Sequence, residues 1–141
     1  MDTRRFALIW GILFLVILAS SVVPGMLQPP AASDPSMAMD SMYGRALGLF
    51  PVNVLHDGVH LIFGVWGILA YRSFDAAKTY ARVTAIVYAV FVVMGVVPGL
   101  NTTFGLVPLF SHDVWLHVLL AGGAAYFGFM HRDRERAGDR S

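Results

Sequence analysis

The sequence predicts an all-α fold, a four-transmembrane-helix bundle of two parallel-repeat helical hairpins with a short amphipathic helix in the first outer loop. Three observations carry this reading. Hydrophobic residues make up 57% of the 141 residues and charged residues only 13%, whereas soluble domains carry about a quarter charged. Four apolar segments approach the roughly 20 residues that a helix needs to cross about 30 Å of hydrocarbon. Two short motifs also recur, in the same order, in the two halves of the chain.

The first span runs from about Phe6 to Val23 and holds no charged residue. Arg4-Arg5 followed by an apolar run that ends near Ala19-Ser20 also has the form of a cleaved leader. Against that form, its end, Val22-Val23-Pro24-Gly25, returns as Val96-Val97-Pro98-Gly99 at the end of the third span, so the segment reads as a retained helix. The first outer loop follows. Pro29-Pro30 breaks the chain, and Asp34-Pro35 has the N-cap and first-position chemistry of a helix start. Met39, Met42, Tyr43, Ala46, Leu47 and Phe50 then recur at helical spacing, which predicts an amphipathic helix on the outer surface. Met37, Met39 and Met42 are also soft thioethers of the kind that bind copper(I); methionine at this spacing is more often an apolar face.

The second span is placed at about Val52–Tyr71, the third at Tyr80–Val97 and the fourth at Asp113–Met130. The chain is thus one integral membrane domain over 1–141, ending in a mixed-charge tail at 132–141. Basic residues set the orientation. Arg4, Arg5, Arg72, Lys78, Arg82, Arg132, Arg134, Arg136 and Arg140 fall on one side, and only Arg45 on the other. Both termini are therefore expected in the cytoplasm of a bacterial inner (plasma) membrane. Trp10, Tyr71, Tyr80 and Trp115 fit anchors at the membrane–water boundary. His112 falls in the second outer loop and His131 at the inner boundary.

The second recurring motif is Gly48-Leu49-Phe50-Pro51, which matches Gly105-Leu106-Val107-Pro108 at an offset of 105 − 48 = 57. The same offset lays His60 on His117 and His56 on Asp113. Both hairpins start on the same side, so the repeat is parallel, about an axis along the membrane normal.

The polar residues inside the spans are the candidate site. Ionisable groups there are costly and face the bundle interior or water. Asn53, Asp57, His60, Gly64, Gly67 and Tyr71 line one face of the second helix, with His56 beside it. Asp113, His117, Ala121, Ala124 and Gly128 line the fourth. The small inner residues predict that helices two and four touch there. The polar outer halves then form a pocket that opens outward, supported by Asn53 and Asp57.

Three functions follow. The polar pairs serve only to fix helix pairing, which makes the protein an accessory or structural subunit that binds itself or a larger membrane complex. Alternatively, His56, His60, Asp113 and His117 hold a transition metal, or His60 and His117 ligate a haem or chlorophyll-type tetrapyrrole from two sides. The third is a proton or small-solute conduit. A net charge of +1 leaves no basic field for nucleic acid, and the absence of cysteine excludes disulfides and thiolate chemistry. The chain has no phosphate loop and no nucleophile–base–acid set, so an enzyme would need a metal to supply the chemistry.

The run Gly48-Leu49-Phe50-Pro51-Val52-Asn53-Val54-Leu55-His56-Asp57-Gly58-Val59-His60, with Gly64 and Gly67, resembles a bacterial four-helix membrane family known only as a domain of unknown function. Phe104-Gly105-Leu106-Val107-Pro108 with Asp113 and His117 resembles that family's second motif, so the likeness covers nearly the whole chain. The family often carries asparagine after the first histidine, where this chain has Asp57. The resemblance implies the four-helix fold and no activity.

Overall fold

The computed structural model describes residues 1–132; the tail arginines Arg134, Arg136 and Arg140 lie outside the described residues. Each of the first three helices starts on a side-chain cap. Asp2 accepts from the Arg5 N–H at 2.7 Å and opens α1, Thr3–Val22. Asn53 accepts from the His56 N–H at 3.0 Å and opens α2, Val54–Ala70. Ser73 accepts from the Ala76 N–H at 3.2 Å and opens α3, Phe74–Val96. Such caps satisfy N–H groups that the first helical turn leaves without partners. α4, His112–Ala125, continues as one π-helical turn, Tyr126–Met130.

Helix α3 begins 80 − 74 = 6 residues before the expected Tyr80, because Ser73 and Asp75 supply a start that the basic residues obscure. Lys78 and Arg82 therefore lie on the helix, not in a loop. Their heads reach the end of the fourth helix: Lys78 Nζ donates to the carbonyls of Phe127 and His131, both at 2.8 Å, and Arg82 Nε to Gly128 at 3.0 Å. These carbonyls end a helix and need donors.

Three helices, Thr3–Val22, Phe74–Val96 and His112–Met130, are long and apolar enough to cross a membrane by length and composition; α2 is apolar and shorter, at 17 residues. All four expose apolar side chains outward, among them Ile12, Ile62, Val93 and Leu119. The main helix pairs are α1 with α2 and α3 with α4. A Cβ on Gly11 would stand 2.7 Å from the Gly64 carbonyl oxygen and 2.8 Å from the Ile68 nitrogen, so the first pair crosses backbone to backbone. The expected contact between helices two and four is therefore corrected. The small residues of α2 receive α1, Gly128 receives α3, and Gly123 abuts the Trp10 ring.

The predicted outer amphipathic helix is absent from the described residues. In its place β1 (Leu27–Gln28), β2 (Gly44–Ala46) and β3 (Phe50–Val52) form an antiparallel sheet in that order, with Leu27 opposite Ala46 and Arg45 opposite Pro51. The helical spacing misled because it skips Gly44, Gly48 and Pro51. Leu47 and Gly48 adopt φ of 55° and 73°, a tight turn no helix contains. Asp34 caps no helix; its carboxylate takes Arg45 Nη2 at 2.6 Å and Nε at 2.8 Å. Burial alternates along β2, Gly44 and Ala46 in and Arg45 half-buried, the period of a strand.

Two of the expected anchors are also corrected. Tyr80 is fully buried in the core, and Trp10 donates to the Leu120 carbonyl at 3.2 Å inside the bundle. Tyr71 and Trp115 do lie exposed near helix ends.

Candidate functional site

Helix α2 places His56 and His60 one turn apart on one face, and α4 brings His117 to meet them. One nitrogen from each ring lies within 4.8 Å of the others. All three side chains are buried, His56 at 2%, His60 at 1% and His117 at 0% exposure. An ion bound at about 2.0–2.1 Å from each nitrogen would draw them to roughly 3.3 Å apart. Both nitrogens of His60 and both of His117 lack a hydrogen-bond partner among the described residues. A buried polar group left in that state costs about 1–3 kcal/mol.

Asp113 stands beside the trio. Its Oδ2 is 3.5 Å from His56 Nε2 and 3.6 Å from His117 Nε2, beyond hydrogen-bond length. The cluster that meets is thus the three histidines, with the Asp113 carboxylate facing two of them. The carbonyls of Pro51 and Pro108 also face the His56 ring. These are the last residues of the two recurring motifs.

Aromatic rings hold the cluster in place. Phe14 stacks on His60 at 5.9 Å between centroids, Tyr88 meets His117 edge-on at 5.1 Å, and Phe91 lies 5.8 Å from His117. A tetrapyrrole between His60 and His117 would need a flat slot between those rings. The His56 ring lies beside both, 4.6 Å from His60 and 5.8 Å from His117 between centroids. The geometry brings one nitrogen from each of three imidazoles within reach of a single ion.

The pocket does not open outward, contrary to expectation. Asn53, itself 0% exposed, donates from Nδ2 to the carbonyls of Met39 at 3.0 Å and Leu106 at 2.7 Å. The Met39 N–H in turn donates to the Gly105 carbonyl at 3.0 Å. These bonds clasp the two outer loops over the site, and buried Val52, Leu109 and Phe110 fill the cover. Asn53 supports the site as expected. Asp57 does not face it: its Oδ1 lies 2.7 Å from the Ser21 hydroxyl, which places the carboxyl between α2 and α1.

Residues 4–130 match the model of a family described as a domain of unknown function (DUF4383). The chain belongs to this family. No curated protein and no solved structure matches the chain. The matched span contains every residue of the cluster and both outer loops.

The side chains that α3 brings to the site were missed in the sequence. Tyr88 contacts His117, and Tyr80, Thr84 and Tyr88 follow one another at i, i+4 and i+8 with buried hydroxyls. That spacing of hydroxyls inside an apolar run was the available signal. Reading Tyr80 as a boundary anchor hid it.

Proposed function

We propose that this chain is a small integral membrane protein whose buried His56–His60–His117 centre binds a transition-metal ion, with Asp113 orienting two of the ligands. The observation that carries the proposal is the convergence of three imidazoles from two helices, buried, within 4.8 Å and with unpartnered nitrogens. Imidazole suits zinc and copper foremost. Three protein ligands leave a fourth position, which in zinc sites takes water or substrate. Cobalt(II) substitution tests the centre: a tetrahedral visible band that His60→Ala and His117→Ala each abolish supports it, and a band unchanged by both variants overturns it.

A second reading is the accessory or structural subunit of a larger membrane complex or homo-oligomer, with the cluster serving only to pair helices. The packing of Phe14, Tyr88 and Phe91 against the imidazoles favours it, because these contacts join side chains of all four helices without any ion. Preserved stability with metal removed, and a partner that co-purifies, would support this reading over the first.

The membrane setting belongs to the same proposal. Four spans with both termini in the cytoplasm of a bacterial inner membrane account for the basic residues around α1, α3 and Arg132, and for the outward apolar girdle. The parallel repeat is supported by matching turns. Met26 N–H donates to Val23 and Leu100 N–H to Val97, both at 3.1 Å, with Gly25 and Gly99 at φ 86° and 85°. Leu49 N–H to Ala46, at 3.1 Å, and Leu106 N–H to Thr103, at 3.2 Å, keep the offset of 57, 103 − 46.

A further inference from the structure

The start of α3 and the end of the fourth helix enclose a cleft of about 360 Å³, within the roughly 300–1,000 Å³ that small-molecule sites occupy. It lies at the Tyr71 end of the bundle, away from the loops that cover the histidines. Lys78, Arg82 and Arg132 bring three formal positive charges to its walls, against the single carboxylate of Asp75. Lys78 turns its Nζ to the carbonyls of Phe127 and His131, both at 2.8 Å, so it contributes field to the cleft. Arg82 is exposed and commits Nε to the Gly128 carbonyl at 3.0 Å, which leaves the two Nη groups of its fork facing other acceptors. Its guanidinium carbon lies 5.7 Å from the centre of the Phe129 ring. Arg132 and the Thr79 hydroxyl complete the polar wall, both on exposed residues. The rim beside them is apolar: Phe129 is 57% and Met130 71% exposed, and both continue the outward girdle of the helices.

Like charges gathered in one cleft repel each other, and an anion relieves that repulsion. The planar guanidinium fork matches the oxygens of a phosphate and can hold two of them at once. An anion free in water would make no use of the exposed Phe129 and Met130. A phosphate carried on acyl chains uses both parts, and basic pockets between membrane helices bind such head groups. We propose that this cleft binds the phosphate head group of an anionic phospholipid, with Arg82 and Arg132 on the phosphate and the acyl chains laid along Phe129 and Met130. Lys78 adds attraction from behind, and Asp75 opposes it. This site rests on the membrane setting proposed above; it is independent of the histidine centre.

The experiment releases the full chain from nanodiscs of equal phosphatidylglycerol and phosphatidylcholine and counts the lipids it retains by native mass spectrometry. Arg82→Gln and Arg132→Gln each remove a cation from the cleft. Arg72→Gln removes an exposed cation at the same end of the bundle but outside the cleft. Asp75→Asn removes the opposing carboxylate. The wild type should retain phosphatidylglycerol in preference to phosphatidylcholine. That preference should fall about five-fold in Arg82→Gln and in Arg132→Gln, hold in Arg72→Gln and rise in Asp75→Asn, a gain that misfolding does not produce. An equal fall in Arg72→Gln would overturn the cleft in favour of diffuse attraction to the surface. Displacement of phosphatidylglycerol by inorganic phosphate at matched concentration would overturn the lipid as the ligand. Lipid retained without preference would refute the cleft alone, whereas a chain that retains neither lipid would refute the membrane setting and the site with it.

Discussion

The two halves of the bundle, the loop-covered half at Asn53 (the outer half) and the opposite half at Tyr71 (the inner half), are held together by opposite means. In the inner half, Gly11, Gly64 and Gly67 let α1 and α2 meet backbone to backbone, and Phe6, Phe63, Tyr80 and Phe127 fill the core. In the outer half the helices carry His56, His60, Asp113 and His117 inward, and hydrogen bonds from the loops close the end. Dispersion and close approach need no directional partner and tolerate an apolar solvent. Buried polar groups need partners or they destabilise the fold. The inner half thus secures the helices, and the outer half retains a cluster in which both nitrogens of His60 and of His117 lack a partner among the described residues.

The largest expected effect lies in the inner half. Gly11→Val would push side-chain atoms into the Gly64 and Ile68 backbone, so α1 and α2 must part. A loss of about 3 kcal/mol or more is expected, as for severe overpacking, measured by thermal unfolding in detergent. A variant as stable as wild type would show that the crossing is looser than described.

Asn53→Ala comes next, because one side chain caps α2 and ties both outer loops. It removes three hydrogen bonds, at about 1 kcal/mol each. Thermal unfolding should fall accordingly, with faster backbone hydrogen exchange near residues 39 and 104–107 and none of that change at the Gly11 crossing. Uniform loss of protection across the bundle would erase the distinction between the halves.

The smallest effect concerns the rim. Arg45 binds Asp34 through two bonds and also donates to the Leu49 carbonyl at 3.0 Å and the Ser111 hydroxyl at 3.3 Å, linking the two outer loops. The hydrogen-bonded Arg45 guanidinium holds the Asp34 carboxyl below the usual carboxylate range. A depressed carboxyl contributes stability above its unfolded pKa, about 3.9, and that contribution is lost as pH falls through the lower folded value. Proteolysis of the outer loop should therefore rise only below about pH 4 in the wild type. In Arg45→Ala it should already be elevated at neutral pH and lose this acid transition. An unchanged acid profile in Arg45→Ala would break the assignment.

Much of this contrast was legible in the residues. Four apolar runs gave four helices, since length and hydropathy act locally. His56, His60 and His117 stood out because an imidazole inside an apolar helix is costly unless it turns toward partners in the bundle interior. Pairing was less legible: small residues on α2 mark a close contact but do not say with which helix, and Gly64 meets Gly11 of α1. The outer loop failed for another reason. Its apolar spacing suited a helix, but Gly44, the Leu47-Gly48 turn and Pro51 favoured strands once Arg45 could bind Asp34 from the same sheet. The cover over the site was invisible because Asn53 reaches backbone carbonyls at residues 39 and 106, far apart in the chain.

The most direct test of the metal centre is elemental analysis of the protein purified in detergent without chelator, after incubation with zinc or copper(I) and desalting. The expected result is one ion per chain in the wild type, and none in a folded His60→Ala/His117→Ala variant of unchanged helical content. A wild type that retains no ion under these conditions, or a variant that retains as much as the wild type, would contradict it.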